Sequence, residues 1–132
     1  MLRILHVDDD AANRRVVRAI LSAHGHESAE ACSGVGALAA LAYQRFDVVL
    51  MDINMPGLGG VEVLRLLRRA PGPERLTPVI AFTADTEHSV SHYRTLGFDD
   101  LVIKPLSISG LLAALHKQTG EGSALIPTRR VA

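Results

Sequence analysis

Five short apolar runs, each followed by a stretch that reads as helix, constrain this chain more than any other feature of it. The runs are Leu2 to Val7, the weaker Glu27 to Ala31, Phe46 to Met51, Pro78 to Thr83 and Asp100 to Ile103. Apart from the more polar Glu27 to Ala31, each is short, rich in β-branched or other apolar residues, and bounded by polar or turn-forming residues, which marks strands rather than helices. Helical segments are expected between them. The first starts at Asp10 and puts Val16, Val17, Ile20 and Leu21 on one face, with Gly25 as its stop. The next spans Gly34 to Tyr43. A third, Gly60 to Arg69, turns Val61, Leu64 and Leu67 inward. Asp85 or Thr86 caps a fourth that runs to about Leu96, with Gly97 as its stop. The last runs from Ser107 to about Gln118. Asn54-Met55-Pro56-Gly57 and Pro71-Gly72-Pro73 are loops by their turn chemistry. Five alternations of strand and helix define an α/β chain, with a doubly wound parallel sheet covered on both faces.

In such a sheet every strand points the same way, and ligands bind outside the carboxyl ends. The residues at those ends are therefore the candidate site. The first strand ends in Asp8, Asp9 and Asp10, the third in Asp52, the fourth in Thr83 and the fifth in Lys104. Gathered carboxylates repel, by roughly 4 kcal/mol for a pair at about 4 Å and an effective dielectric of 20. Either one of them is protonated or a cation sits among them. Hard oxygen ligands with room for water suit Mg²⁺. With an ammonium group and a hydroxyl beside them, the set suits phosphoryl transfer to a carboxylate, where catalysis is mainly positioning and charge neutralisation.

The pieces Val7-Asp8-Asp9, Asp52-Ile53-Asn54-Met55-Pro56-Gly57, Thr83-Ala84 and Lys104-Pro105 resemble, in order and spacing, the response-regulator receiver family of two-component systems. The resemblance covers about residues 1–118. It implies a flavodoxin-like (βα)5 fold with strand order 2-1-3-4-5, and a phosphoacceptor signalling domain that catalyses its own phosphorylation and dephosphorylation rather than an enzyme with an external substrate. Asp52 is then the phosphoacceptor, taking its phosphoryl group from a phosphohistidine. Asp9 is a direct Mg²⁺ ligand, Asp8 acts through a metal-bound water, and the Asn54 carbonyl is a further metal ligand beside Asp52. Thr83 is the switch hydroxyl, Lys104 pairs with a phosphoryl oxygen, and Pro105 follows a cis peptide bond. The implied partner is a histidine kinase or a histidine phosphotransfer protein, with the domain a monomer or weak homodimer. One departure stands out. The family often carries Tyr or Phe three residues before the lysine, where this chain has Leu101. Asp10, Asn13, Arg14, Leu21, Gly25, His26 and Asp99-Asp100 resemble receivers attached to hybrid sensor kinases, so a longer parent could itself be a histidine kinase.

The competing class is a Mg²⁺-dependent aspartyl-phosphate hydrolase of the haloacid-dehalogenase type, which places its nucleophile at the first strand end. Asp8-x-Asp10 matches that pattern formally, but the loop after Asp52 has no counterpart there. A receiver that only binds partners is the third reading, and the complete acidic, hydroxyl and lysine set speaks against it.

The remaining features bound the partners. The chain has 132 residues, 48% apolar, which fits one domain with a substantial core. Residues 1–119 are expected to form it, with 120–132 a C-terminal tail. Lys plus Arg and Asp plus Glu number 14 each. Zero formal charge offers no long-range attraction to nucleic acid or an anionic membrane. Arg14, Arg15 and Arg18, and again Arg65, Arg68 and Arg69, read as solvated helix faces. The single Cys32 reads as a small buried or half-buried residue of a cytoplasmic protein. The start does not read as a signal peptide, and no apolar run approaches the roughly 20 residues of a membrane span. His6 reads as a packed core residue, His24 and His26 as helix-end imidazoles, and His88 and His92 as partly exposed neighbours on one helix rather than zinc ligands. Gly57, Gly59 and Gly60 give loop freedom and are not a phosphate loop.

Overall fold

The computed structural model describes residues 1–120. The expected tail from 121 onward lies outside the described residues. The strands are β1 (Arg3–Val7), β2 (Glu27–Ala31), β3 (Val48–Asp52), β4 (Val79–Thr83) and β5 (Asp100–Ile103), and they form one parallel sheet in the order β2-β1-β3-β4-β5. The helices are α1 (Ala11–Ala23), α2 (Gly34–Tyr43), α3 (Gly60–Arg68), α4 (Val90–Leu96) and α5 (Ile108–Thr119), with a 3₁₀ turn over Pro73–Leu76 inside the loop expected around Pro71-Gly72-Pro73.

Side chains alternate across a strand, so the sheet builds two cores. Leu5, Val7, Val49, Met51, Val79 and Ala81 meet Ala37 and Leu41 of α2, Val63, Leu64 and Leu67 of α3, and Tyr93 of α4. On the other face, Ile4, Val48, Leu50, Ile80, Phe82 and Val102 meet Val17 and Leu21 of α1 and Leu111, Ala114 and Leu115 of α5. Every residue of β3 and β4 is buried, as expected of central strands covered on both sides. The edge strand β2 is mostly half-exposed, which explains its weak apolar signal.

Asp10, Ser33, Ser89 and Ser107 each cap the helix after them by accepting backbone N–H bonds. Three expectations are corrected here. Helix α4 is capped by Ser89 rather than Asp85 or Thr86, because the Asp85 side chain folds back onto the amides of Glu87 and His88 and holds that stretch as a loop. Val16 is exposed, one step round the helix from the buried Val17 and Leu21. Cys32 is also exposed, because it comes just after the last paired residue of β2 and precedes the α2 cap.

Two of the arginines are anchors rather than part of a solvated face. Arg14 reaches Glu30 and donates to the Asp8 carbonyl at 2.7 Å. Arg68 donates to the carbonyls of Arg75 and Thr77 and to Asp99. His26 likewise does more than face solvent, since its Nδ1 accepts the Leu2 N–H and fastens the start of β1. Close packing beneath the carboxyl edge requires Gly60, where a Cβ would lie 2.7 Å from the Asp52 carbonyl.

Candidate functional site

Parallel strands deliver Asp8, Asp52, Thr83 and Lys104 to the same edge, as the strand ends imply. Asp8 is fully buried and Asp52 nearly so, while Asp9 is exposed. One carboxylate oxygen from each of Asp8, Asp9 and Asp52 lies within 4.8 Å of the others, and no other such group of His, Cys, Asp or Glu occurs among the described residues. Lys104 Nζ is 3.3 Å from Asp52 Oδ1 and 3.9 Å from Asp8 Oδ2, and it also lies over the Phe82 ring. The Lys104–Pro105 peptide is cis.

Each acidic group has a different surrounding. Asp8 Oδ1 accepts the Asp10 N–H at 2.9 Å, and its Oδ2 accepts from Asn13 Nδ2 at 3.2 Å. Burial pushes the Asp8 carboxyl up, but the His6 ring, the Asp10 amide and Lys104 outweigh it and bring the pKa down to about 2. For Asp52 the balance reverses. Burial, helped by the charge of Asp8, raises its pKa against the pull of Lys104 and the Asn54 amide. Asp52 is therefore the carboxylate whose charge the site tolerates least without added positive charge. Asn54 is exposed beside it and donates its N–H to Asp52 Oδ1 at 3.3 Å.

Thr83 is buried, with Oγ1 accepting the Asp85 N–H at 3.1 Å. Sequence reasoning missed the contacts that Asp85 makes beyond that bond. Asp85 Oδ2 accepts the Tyr93 hydroxyl at 2.7 Å and lies 2.6 Å from His88 Nδ1. The hydrogen bonds from Tyr93, His88 and the Glu87 amide hold the Asp85 carboxyl well below the usual carboxylate range. Burial and the bond to Asp85 push the Tyr93 hydroxyl up. Helix α4 is thus tied to the end of β4 by an aromatic side chain of its own, while Leu101, at the position where the family often carries an aromatic, packs half-buried against the α2–α4 core. The only sequence sign of this tie was Tyr93 falling eight residues after Asp85 on the inward face of α4. His88 and His92 stack on each other at 4.1 Å, but they do not share a helix as expected, because α4 starts at Val90 and His88 lies in the loop before its Ser89 cap. Asp10 caps α1 through Ala12 and Asn13, so the second aspartate of the hydrolase-like pattern is engaged as a cap.

A doubly wound sheet with an acidic pocket, a lysine and a buried hydroxyl at its carboxyl edge defines a phosphoaccepting signalling domain. The chain belongs to the response regulator receiver domain family, whose pattern matches residues 4–116. It is 36% identical over 132 residues to the sensor histidine kinase AruS of Pseudomonas aeruginosa, covering 98% of this chain and 13% of that protein. The CAI-1 autoinducer sensor kinase/phosphatase CqsS of Vibrio cholerae is 35% identical over 111 residues, covering 83% of this chain and 16% of its own. Among solved structures, the receiver domain of sensor histidine kinase PA1611 from P. aeruginosa, determined with magnesium coordinated in its active site cleft, superposes with a TM-score of 0.82 at 29% identity, over 91% of this chain and 98% of that one. The chemotaxis response regulator CheY4 of V. cholerae gives 0.80 at 30% identity, over 89% and 98%. The chain spans only about a tenth to a sixth of the length of the curated relatives it matches. It is a phosphoacceptor receiver related to those of hybrid sensor histidine kinases, and nothing supports the hydrolase alternative. No helix among the described residues is long and apolar enough to cross a membrane.

Proposed function

We propose that Asp52 accepts a phosphoryl group from the phosphohistidine of a histidine kinase or histidine phosphotransfer protein. An Asp52 carboxylate oxygen bonds to phosphorus, the phosphorus–nitrogen bond of the donor breaks, and the released imidazole takes up a proton. The observation that carries this reading is the buried Asp52 carboxylate, 3.3 Å from Lys104 Nζ and clustered with Asp8 and Asp9.

The donor set fits Mg²⁺: hard oxygens, two of them buried and one open to solvent, with a surplus of negative charge. Asp8, Asp9, Asp52 and the Asn54 carbonyl would hold it. When bound, the ion supplies positive charge that offsets repulsion between the carboxylates and the incoming phosphoryl oxygens. Lys104 neutralises a phosphoryl oxygen. Thr83 gives its hydroxyl to another once it leaves the Asp85 amide. Residues 1–119 form the working unit, in the cytoplasm where ATP-derived phosphoryl donors are made, as a monomer or weak homodimer.

Acetyl phosphate with Mg²⁺ tests the reading. The expected result is one acid-stable, alkali-labile phosphoryl group per chain, lost in Asp52→Asn. Equal labelling of Asp52→Asn would remove Asp52 from its role, and continuous turnover of simple phosphate esters would favour a hydrolase.

A further inference from the structure

His6 is the least explained polar side chain in the described structure. It sits inside β1, 1% exposed, on the face covered by α1 and α5, with its ring tilted against Phe82. Neither ring nitrogen has a hydrogen-bond partner, and among the described side chains no other fully buried nitrogen or oxygen atom is left that way. Buried polar atoms are nearly always paired, so an unpaired imidazole in an apolar layer calls for a reason. The strand itself supplies none, since Ile4 on the same face needs no polar atom to pack there.

The ring points at the acidic site. His6 Nε2 is 3.6 Å from Asp8 Oδ2, just beyond bonding length. The other contacts of Asp8 come from elsewhere: the Asp10 amide on Oδ1, and Asn13 Nδ2 and Lys104 Nζ toward Oδ2. Only His6 approaches from within the apolar layer. The tautomer is set by the surroundings. A proton on Nδ1 would leave a buried donor without an acceptor and aim the Nε2 lone pair at a carboxylate, so the proton belongs on Nε2.

We propose that His6 is a positioning residue for the cation site: its Nε2–H supports the Asp8 carboxylate from the buried side and holds it in the orientation that Mg²⁺ binding uses. The inference rests on the reading of Asp8, Asp9 and Asp52 as the Mg²⁺ site. Partners that orient a ligand-bearing carboxylate or imidazole typically change metal affinity by roughly 10- to 100-fold when removed.

The test is Mg²⁺ titration by calorimetry on the full chain, together with thermal melting in chelator, for wild type, His6→Leu and His6→Gln. Leucine fills the apolar space without a donor, and glutamine restores one. The expected result is a Mg²⁺ dissociation constant raised about tenfold or more in His6→Leu. Its metal-free melting temperature should be unchanged or higher, and His6→Gln should recover part of the affinity. Wild-type affinity in His6→Leu would overturn the proposal. So would a loss of affinity that tracks a lowered metal-free melting temperature, or one that glutamine does not relieve. The wild-type titration tells the two failures apart. Wild-type protein that binds no Mg²⁺ ends the functional reading itself, whereas normal wild-type binding with an indifferent His6→Leu ends only the role of His6.

Discussion

Replacing Asp52 by Asn should make the metal-free protein more stable, even though it removes an ion pair. An oxygen of buried Asp8 lies within 4.8 Å of one on Asp52, and their repulsion is about 3.5 kcal/mol or more at an effective dielectric of 20. The attraction to Lys104 at 3.3 Å is about 5 kcal/mol on the same scale. Asp9 is exposed and screened, so the attraction outweighs the Asp8 repulsion by about 1.5 kcal/mol, but burying the charge costs several kcal/mol and leaves a net penalty of about 2 kcal/mol. Asparagine keeps an oxygen for the Asn54 amide and removes the charge. For a domain of this size a gain of about 2 kcal/mol raises the melting temperature by roughly 5–10 °C. The assay is thermal denaturation in chelator, with and without added Mg²⁺. In Mg²⁺ the wild type should recover most of the difference, because a ligand that binds only the folded state stabilises it by about 2.7 kcal/mol at 100 times its dissociation constant. The pH dependence has a definite sign. Folding raises the Asp52 pKa, so its ionisation costs stability. The gap between variant and wild type should close below the ordinary carboxylate value, where the group is protonated in both states. It should open as pH rises through the raised value. An Asp52→Asn protein that melts at or below wild type in chelator at neutral pH would refute the electrostatic account of the site.

Two further outcomes test the scaffold. Arg68→Ala leaves the Arg75 and Thr77 carbonyls and Asp99 without their shared donor, and should lower stability by about 1–3 kcal/mol, read as a shift in the urea midpoint at constant slope. Tyr93→Phe removes the hydroxyl that α4 gives to Asp85, so the amides of Glu87 and His88 and the first turn of α4 should exchange with deuterium faster than in wild type. Unchanged exchange there would show that the bond does not restrain the loop.

The architecture was largely legible because strand ends and helix caps are local signals. Glu27–Ala31, Gly34–Tyr43 and Asp100–Ile103 fall where the residues place them, since each is bounded by turn or cap chemistry. The convergence of Asp8, Asp52, Thr83 and Lys104 was legible for a topological reason: parallel strands share a carboxyl edge whatever their separation along the chain. The features that escaped depend on contacts between distant segments. Periodicity separates an inward from an outward helix face but does not say that Arg68 meets Asp99, 31 residues away, or that Arg14 leans on the end of β1. Asp85 looked like a helix cap because aspartate caps helices, but the cap it makes is over a loop, and Ser89 starts the helix. Cys32 looked buried from the average habit of its residue type, while the register of β2 leaves it just past the last ladder pair.

The absence of an aromatic at Leu101 leaves the site connected to its outer surface by a different set of bonds. Thr83 Oγ1 accepts from the Asp85 amide, and the Asp85 carboxylate in turn engages Tyr93 of α4 and His88. A Thr83 hydroxyl that turns to donate to a phosphoryl group on Asp52 presents its oxygen elsewhere and gives up the Asp85 amide. That loop has few other restraints, being exposed and held mainly by bonds to the Asp85 side chain. Its freedom is therefore transmitted to α4 through the Tyr93 hydroxyl and the His88–His92 stack, whereas Leu101 is held by apolar packing, which has no directional bond to break. With Asp52 as the proposed phosphoacceptor, the expected outcome is that phosphorylation changes amide exchange in the β4–α4 loop and α4 before it changes exchange in β5.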